Sequence, residues 1–173
     1  MSVKFGLPPI ASRDARLFVL GSLPGDASLA AERYYAHPTN QFWRLLGSAL
    51  GEELQPLAYD ARLERLAARG VGLWDVIASA SRSGSLDQAI RAADHNQLQR
   101  LIDGYPELRA IAFNGTTSAR IGRQSIGAHG LTLIDLPSSS AANTTAFAEK
   151  AAAWSRLAEF ALPALRNEDD SGN

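Results

Sequence analysis

Cysteine is absent from the 173 residues. That excludes disulfides, thiolate zinc sites and cysteine-ligated iron–sulfur clusters, and it suits a reducing compartment. Lysine is nearly absent. Lys4 stands in the N-terminal arm and Lys150 on the last expected helix, so a Schiff-base mechanism has no good candidate. Neither sign of charge dominates, with Lys+Arg 17 against Asp+Glu 18 and a formal charge of -1. No global basic field draws the chain to nucleic acid or anionic membrane, and any such binding must be local. His37, His95 and His129 lie far apart and lack metal-ligand spacing, so no metal is expected. No apolar stretch approaches membrane-spanning length, and Met1 to Pro9 lacks the apolar run of a signal peptide. The expectation is a soluble, cytoplasmic protein. G-x-x-x-x-G-K-[ST], G-x-G-x-x-G and G-x-S-x-G are missing as well, which leaves the commonest α/β chemistries unsupported.

What is present fits one domain. With 46% hydrophobic and 20% charged residues, residues 1–166 are expected to form a single globular unit, and the acidic tail 167–173 is expected to be disordered. Four short apolar runs read as buried strands: Leu17 to Leu20, Val71 to Val76, Ala110 to Phe113 and Leu131 to Leu136. The segments between them read as helices. Gln41 to Leu50, Ala61 to Ala68 and Phe147 to Leu162 each repeat apolar residues at helical spacing. Buried strands alternating with amphipathic helices imply an α/β fold, a parallel sheet of four strands covered on both faces. In such sheets ligands bind beyond the carboxyl ends of the strands, and every polar cluster of note here follows a strand.

Three of those clusters stand out. Gly21-Ser22-Leu23-Pro24-Gly25 ends the first strand, Tyr34-Tyr35-Ala36-His37-Pro38-Thr39-Asn40-Gln41-Phe42-Trp43 follows, and Pro137-Ser138-Ser139-Ser140 ends the fourth. In conjunction, from about Leu17 to Trp154, they resemble the uracil-DNA glycosylase superfamily, most closely its hypoxanthine-DNA (deoxyinosine) glycosylase branch. The resemblance implies a three-layer α/β/α fold with strand order 2-1-3-4. It also implies a monofunctional glycosylase that removes a deaminated base, hypoxanthine first and uracil second, in base excision repair. The expected partner is DNA, the expected state a monomer, and no cofactor is called for.

A glycosylase must extrude the base, hold it, and stabilise an oxocarbenium-like sugar while the departing base gains negative charge. By resemblance Gly21, Ser22 and Leu23 form the first wall of the base pocket, and Tyr35 stacks on the base; Tyr34 serves equally as a core aromatic. Leu23 stands where most of the superfamily has Asp or Asn, and the hypoxanthine branch resembles this chain in carrying its catalytic amide at the position of Asn40. Such an amide can accept from and donate to water. The same residue type is a favoured helix cap, although Thr39 can cap instead. Asp75 can accept from the ring N–H of hypoxanthine or uracil but, ionised, cannot donate to the adjacent carbonyl; it can also serve as a turn acceptor. Asn114 is a candidate donor to that carbonyl, with capping of the helix near Thr116 the favoured alternative.

Ser138, Ser139 and Ser140 match the loop whose hydroxyls and N–H groups pinch DNA phosphates, although such a turn is also an ordinary loop. Ala141-Ala142-Asn143 offers no bulky wedge for the hole left by the base. Arg120, Arg123 and Lys150 are further candidates for phosphate, each of which reads more readily as part of a solvated helix face. Two rival functions remain open. One is a nucleic-acid-binding domain that lost the chemistry, and the other is an unrelated hydrolase on the same architecture.

Overall fold

The apolar runs and their spacers sort into seven strands and six helices over the described residues of the computed structural model, 2–127 and 129–164. The chain opens with strand β1 (Val3–Phe5) and strand β2 (Leu17–Gly21), followed by helices α1 (Asp26–Ala31), α2 (Phe42–Leu50) and α3 (Tyr59–Ala68). Strands β3 (Val71–Asp75), β4 (Ile77–Arg82) and β5 (Ile90–His95) come next, with a 3-10 turn at Asp87–Ala89 between the last two. Helix α4 (Leu98–Gly104), strand β6 (Ala110–Asn114), helix α5 (Thr116–Ser125), strand β7 (Thr132–Leu136) and helix α6 (Phe147–Trp154) complete the order; α6 tightens into a 3-10 segment at Ser155–Glu159.

Strands β3-β2-β6-β7 form one parallel sheet in that order, which is 2-1-3-4 when these four are counted along the chain. Every residue of β2 and of β6 is buried, because these central strands are covered on both faces and can be apolar throughout. Alternate residues of β2 feed different cores. Leu17 and Val19 join Phe42, Leu45, Leu46, Leu66 and Trp154 from α2, α3 and α6, whereas Phe18 and Leu20 join Leu98, Leu101, Ala119 and Ile121 from α4 and α5. The three layers follow directly from this period of two. Fully burying each large apolar side chain contributes roughly 1.5–3 kcal/mol, and overlap between neighbours is close; a Cβ on Gly72 would meet the Phe18 ring at 2.6 Å.

One region departs from the expected alternation of strands and helices. The stretch between β3 and α4 contains no α-helix; β4 pairs antiparallel with both β1 and β5, giving a second, three-stranded sheet in the order β1-β4-β5. Its alternation is carried by Ser and Ala in Ile77-Ala78-Ser79-Ala80-Ser81-Arg82, a pattern with little hydrophobic contrast. The expected acidic tail, residues 167–173, lies outside the described residues. No helix among the described residues is long and apolar enough to cross a membrane.

Candidate active site

The carboxyl ends of the parallel strands open into a cavity of about 620 Å³. Gly21, Ser22, Leu23, Tyr35, Asn40, Asp75, Asn114, Ser138, Ser139 and Ser140 all line it, so residues spread over some 120 positions of sequence converge on one space. Arg120 and Arg123 do not line it.

Gly21 makes the close packing at its base possible. A Cβ there would lie 2.6 Å from Asp75 Oδ1 and 3.0 Å from the Tyr35 hydroxyl, so any larger residue would push both out. Tyr35 has φ 53, a left-handed conformation that a bulky residue adopts only under strain. Its ring stacks on Phe42, the first residue of α2, with centroids 3.7 Å apart and planes 6° from parallel. One face of Tyr35 is therefore occupied by protein. Tyr34 goes the other way: it is 2% exposed in the core and its hydroxyl donates to Pro8 O at 2.7 Å.

Asn40 sits in a hydrogen-bond chain that joins three loops. Its Oδ1 accepts from the backbone N–H of Phe42 at 3.0 Å and from the Ser139 hydroxyl at 2.8 Å. A backbone N–H can only donate, so the amide oxygen must face Phe42 and the amide nitrogen is the end left over. Asn40 Nδ2 has no hydrogen-bond partner among the described residues, and the residue lines the cavity. Gln41 occupies the N-cap position of α2, and Asn40, one residue earlier, closes a local turn onto the first helical N–H while keeping a free polar group. Thr39 does not take the capping role, since its hydroxyl lies 2.8 Å from His37 Nδ1.

Asn114 stands behind this chain. Its Oδ1 accepts from Ser139 N at 2.9 Å, and its Nδ2 donates to Ser139 Oγ at 2.8 Å and to the Tyr35 hydroxyl at 3.3 Å. Both amide hydrogens are engaged, which corrects the expectation of a free donor for a base carbonyl. Nor does Asn114 cap α5, whose N-terminus is Gly115 at φ 98. Ser139 is 1% exposed with its hydroxyl and N–H both consumed, so it fastens the loop and does not present these groups to phosphate. Ser138 and Ser140 are less buried, and their hydroxyls accept from Ser140 N and Ala142 N, at 3.2 Å each.

The other wall is acidic. Asp75 is 3% exposed, and its Oδ2 is buried with no hydrogen-bond partner among the described residues. Its carboxyl is pushed up to about 7, by burial first and by the charge of Asp87 next, with Arg82 opposing. The phenols of Tyr34 and Tyr35 are raised by burial and then by the charge of Asp75, and remain protonated. Asp87 accepts from the Ser22 hydroxyl at 2.5 Å. Arg82, 2% exposed, donates to Leu23 O at 3.2 Å, to Gly84 O at 3.0 Å and to Pro24 O, so it ties the first cavity loop to the turn after β4.

Three basic residues separate. Lys150 is 1% exposed and not part of a solvated face: its Nζ donates to Gln41 Oε1 at 2.9 Å, Asn143 O at 2.8 Å and Ser140 O at 3.2 Å. Its reach is spent on holding the serine loop against α2. Arg123 pairs with exposed Asp135 at 3.0 Å. Arg120 lines a neighbouring cleft with Arg91 and His95 of β5, which shares Asp87, Gln88 and Thr117 with the main cavity. Sequence reasoning missed Arg82 and Asp87. The available signal is the Ser83-Gly84-Ser85 turn, a hairpin mark.

Residues 8–158 match the Uracil DNA glycosylase superfamily. A Methanosarcina barkeri protein named hypoxanthine DNA glycosylase is 40% identical over 151 residues, 87% of this chain and 95% of the relative. A Methanosarcina acetivorans protein of the same name is 38% identical over 152 residues, 88% of this chain and 96% of the relative. The solution NMR structure of a candidate uracil DNA glycosylase from Methanosarcina acetivorans superposes with a TM-score of 0.81 at 37% identity, covering 90% of this chain and 96% of that one. The matched span includes the strand-end cavity, the loop that carries Asn40 and the serine loop, and the chain belongs to the uracil DNA glycosylase superfamily.

Proposed function

We propose that this chain excises hypoxanthine, and secondarily uracil, from DNA by hydrolysing the N-glycosidic bond, with Asn40 as its catalytic residue. The chain is a DNA glycosylase of deaminated bases, and the two relatives named hypoxanthine DNA glycosylase support the choice of base. The observation that carries the residue assignment is the fixed amide of Asn40, with its oxygen committed to Phe42 and Ser139 and its Nδ2 unpaired at the cavity wall.

An amide N–H can hold a water molecule through one oxygen lone pair and leave the other directed at the anomeric carbon. Because the sugar is already cationic in the transition state, placement matters more than a strong base. The face of Tyr35 not covered by Phe42 receives the extruded base. Hypoxanthine presents a ring N–H beside a carbonyl, an edge that uracil shares. Asp75 in its protonated form offers an O–H donor beside a carbonyl acceptor and meets both groups at once, which supplies the donor that Asn114 cannot. Ser138 and Ser140 contact the flanking phosphates, Arg120 those further along. This chemistry asks for no cofactor, and the chain acts as a monomer on DNA in the cytoplasm.

Incubating the purified protein with oligonucleotides that each carry one deaminated base, followed by alkali, tests this reading. Strand scission at hypoxanthine, fastest within the set, supports it. Intact strands throughout the panel would remove it.

A further inference from the structure

An extruding enzyme must keep the vacated position in the duplex from refilling, and bulky apolar side chains are the usual means. The loop after β7 has none: Ser138 to Asn143 carries only Ser, Ala and Asn. Among the described residues three large hydrophobics are exposed, Val3 and Phe5 on β1, and Leu86 at 47%. Of these, Leu86 alone lines the cavity.

Leu86 is also unusual in how firmly its flanks are held. Ser85 Oγ accepts from the Asp26 N–H at 2.9 Å, and Asp87 accepts from Ser22 at 2.5 Å, so one sequence neighbour is tied to the first residue of α1 and the other to the loop after β2. Gly84 O receives Lys4 Nζ at 2.9 Å and Arg82 Nε at 3.0 Å. A Cβ on Gly25 would lie 3.2 Å from Ser85, which shows how closely the turn is packed. The turn is therefore rigid while the Leu86 side chain stands out into solvent at the cavity. Half in water, such a side chain leaves much of its apolar area unburied in the fold; seated between bases, that area is buried.

We infer that Leu86 is the wedge that enters the DNA base stack in place of the extruded nucleotide, so that the turn after β4 supplies what the serine loop lacks. This rests on the base-excision reading above, and it makes Leu86 a positioning residue, needed where a stack must be opened and dispensable where none exists.

The test compares single-turnover excision of hypoxanthine from one oligonucleotide, single-stranded and annealed to its complement, by the wild-type protein, Leu86→Ala and Leu86→Phe. Leu86→Ala should lose roughly tenfold or more on the duplex and keep its single-strand rate, whereas Leu86→Phe should retain duplex activity. A 2-aminopurine beside the lesion should brighten on binding of wild type and of Leu86→Phe, and stay quenched with Leu86→Ala. Equal duplex rates for wild type and Leu86→Ala would overturn the wedge and leave base excision standing, as would equal losses on both substrates. A wild-type protein inactive on both substrates would instead overturn the underlying glycosylase reading, and the wedge with it.

Discussion

The Ser139 hydroxyl donates to Asn40 Oδ1 at 2.8 Å, a bond between residues 99 positions apart. It couples the loop after β7 to the loop before α2, and it helps decide which end of the Asn40 amide is free. With Phe42 N–H on the same oxygen, the amide cannot turn over without losing both bonds.

Ser139→Ala should therefore act through Asn40. Removing the hydroxyl leaves Asn40 Oδ1 with one donor and deprives Asn114 Nδ2 of the nearer of its two acceptors. We expect a stability loss of about 1–2 kcal/mol by thermal or urea unfolding, and a fall of about tenfold in single-turnover rate with damaged-DNA affinity unchanged. A loss confined to affinity would make Ser139 a phosphate contact after all.

Asp75 predicts a pH dependence of both stability and activity. Its carboxyl ionises at about 7 in the folded chain, because burial and then Asp87 oppose the charge while Arg82 favours it. Between the ordinary carboxylate value and about 7 the folded protein keeps a proton that the unfolded chain has released. Stability therefore falls as pH rises through that window and levels off above it. Asp75→Asn removes the titration, so it should match wild type near about pH 4 and exceed it in thermal stability above about pH 7. Excision by wild type should decline as pH rises past about 7, while Asp75→Asn stays flat and active, because its amide offers the same donor and acceptor pair. A wild-type rate that climbs through neutral pH would show that the ionised carboxylate is the working form.

Lys150→Met should destabilise the protein by about 2 kcal/mol, since three partly buried acceptors lose a charged donor. The slope of log affinity against log salt should be the same as for wild type, because a lysine turned inward releases no counterion. A slope shallower by about one would return Lys150 to the DNA interface.

The reaction should stop at the abasic site. Lys4 is held by Asp26 and Gly84, Lys150 is buried, and neither lines the cavity. The product strand should stay intact until alkali or heat is applied, and borohydride should trap no protein–DNA adduct. A trapped adduct formed with normal turnover would contradict this.

What could be read in the sequence was what is local or periodic. Leu17 to Leu20 reads as a buried strand because both faces of β2 are covered and no polar residue interrupts it. Asn40 and Tyr35 drew notice through the resemblance of one short motif to a known family, and both line the cavity. By contrast, Ser79, Ala80 and Ser81 of β4 alternate without hydrophobic contrast, so the second sheet gave no periodic signal. The roles of Asn114 and Ser139 depend on a pairing across 25 residues, and nothing near either residue announces that their polar groups are mutually consumed. The same limit applies to Lys150, whose burial is decided by Gln41, 109 positions away.

The most direct test of the account is the single-turnover rate of hypoxanthine excision by Asn40→Ala, measured at saturating protein on a folded variant. Losing the Nδ2 donor should lower the rate by about a hundredfold, on the order of 3 kcal/mol of transition-state stabilisation, with binding to damaged DNA little changed. If Asn40 only caps α2, the variant would lose about 1 kcal/mol of stability and excise at the wild-type rate, and that result would contradict the account.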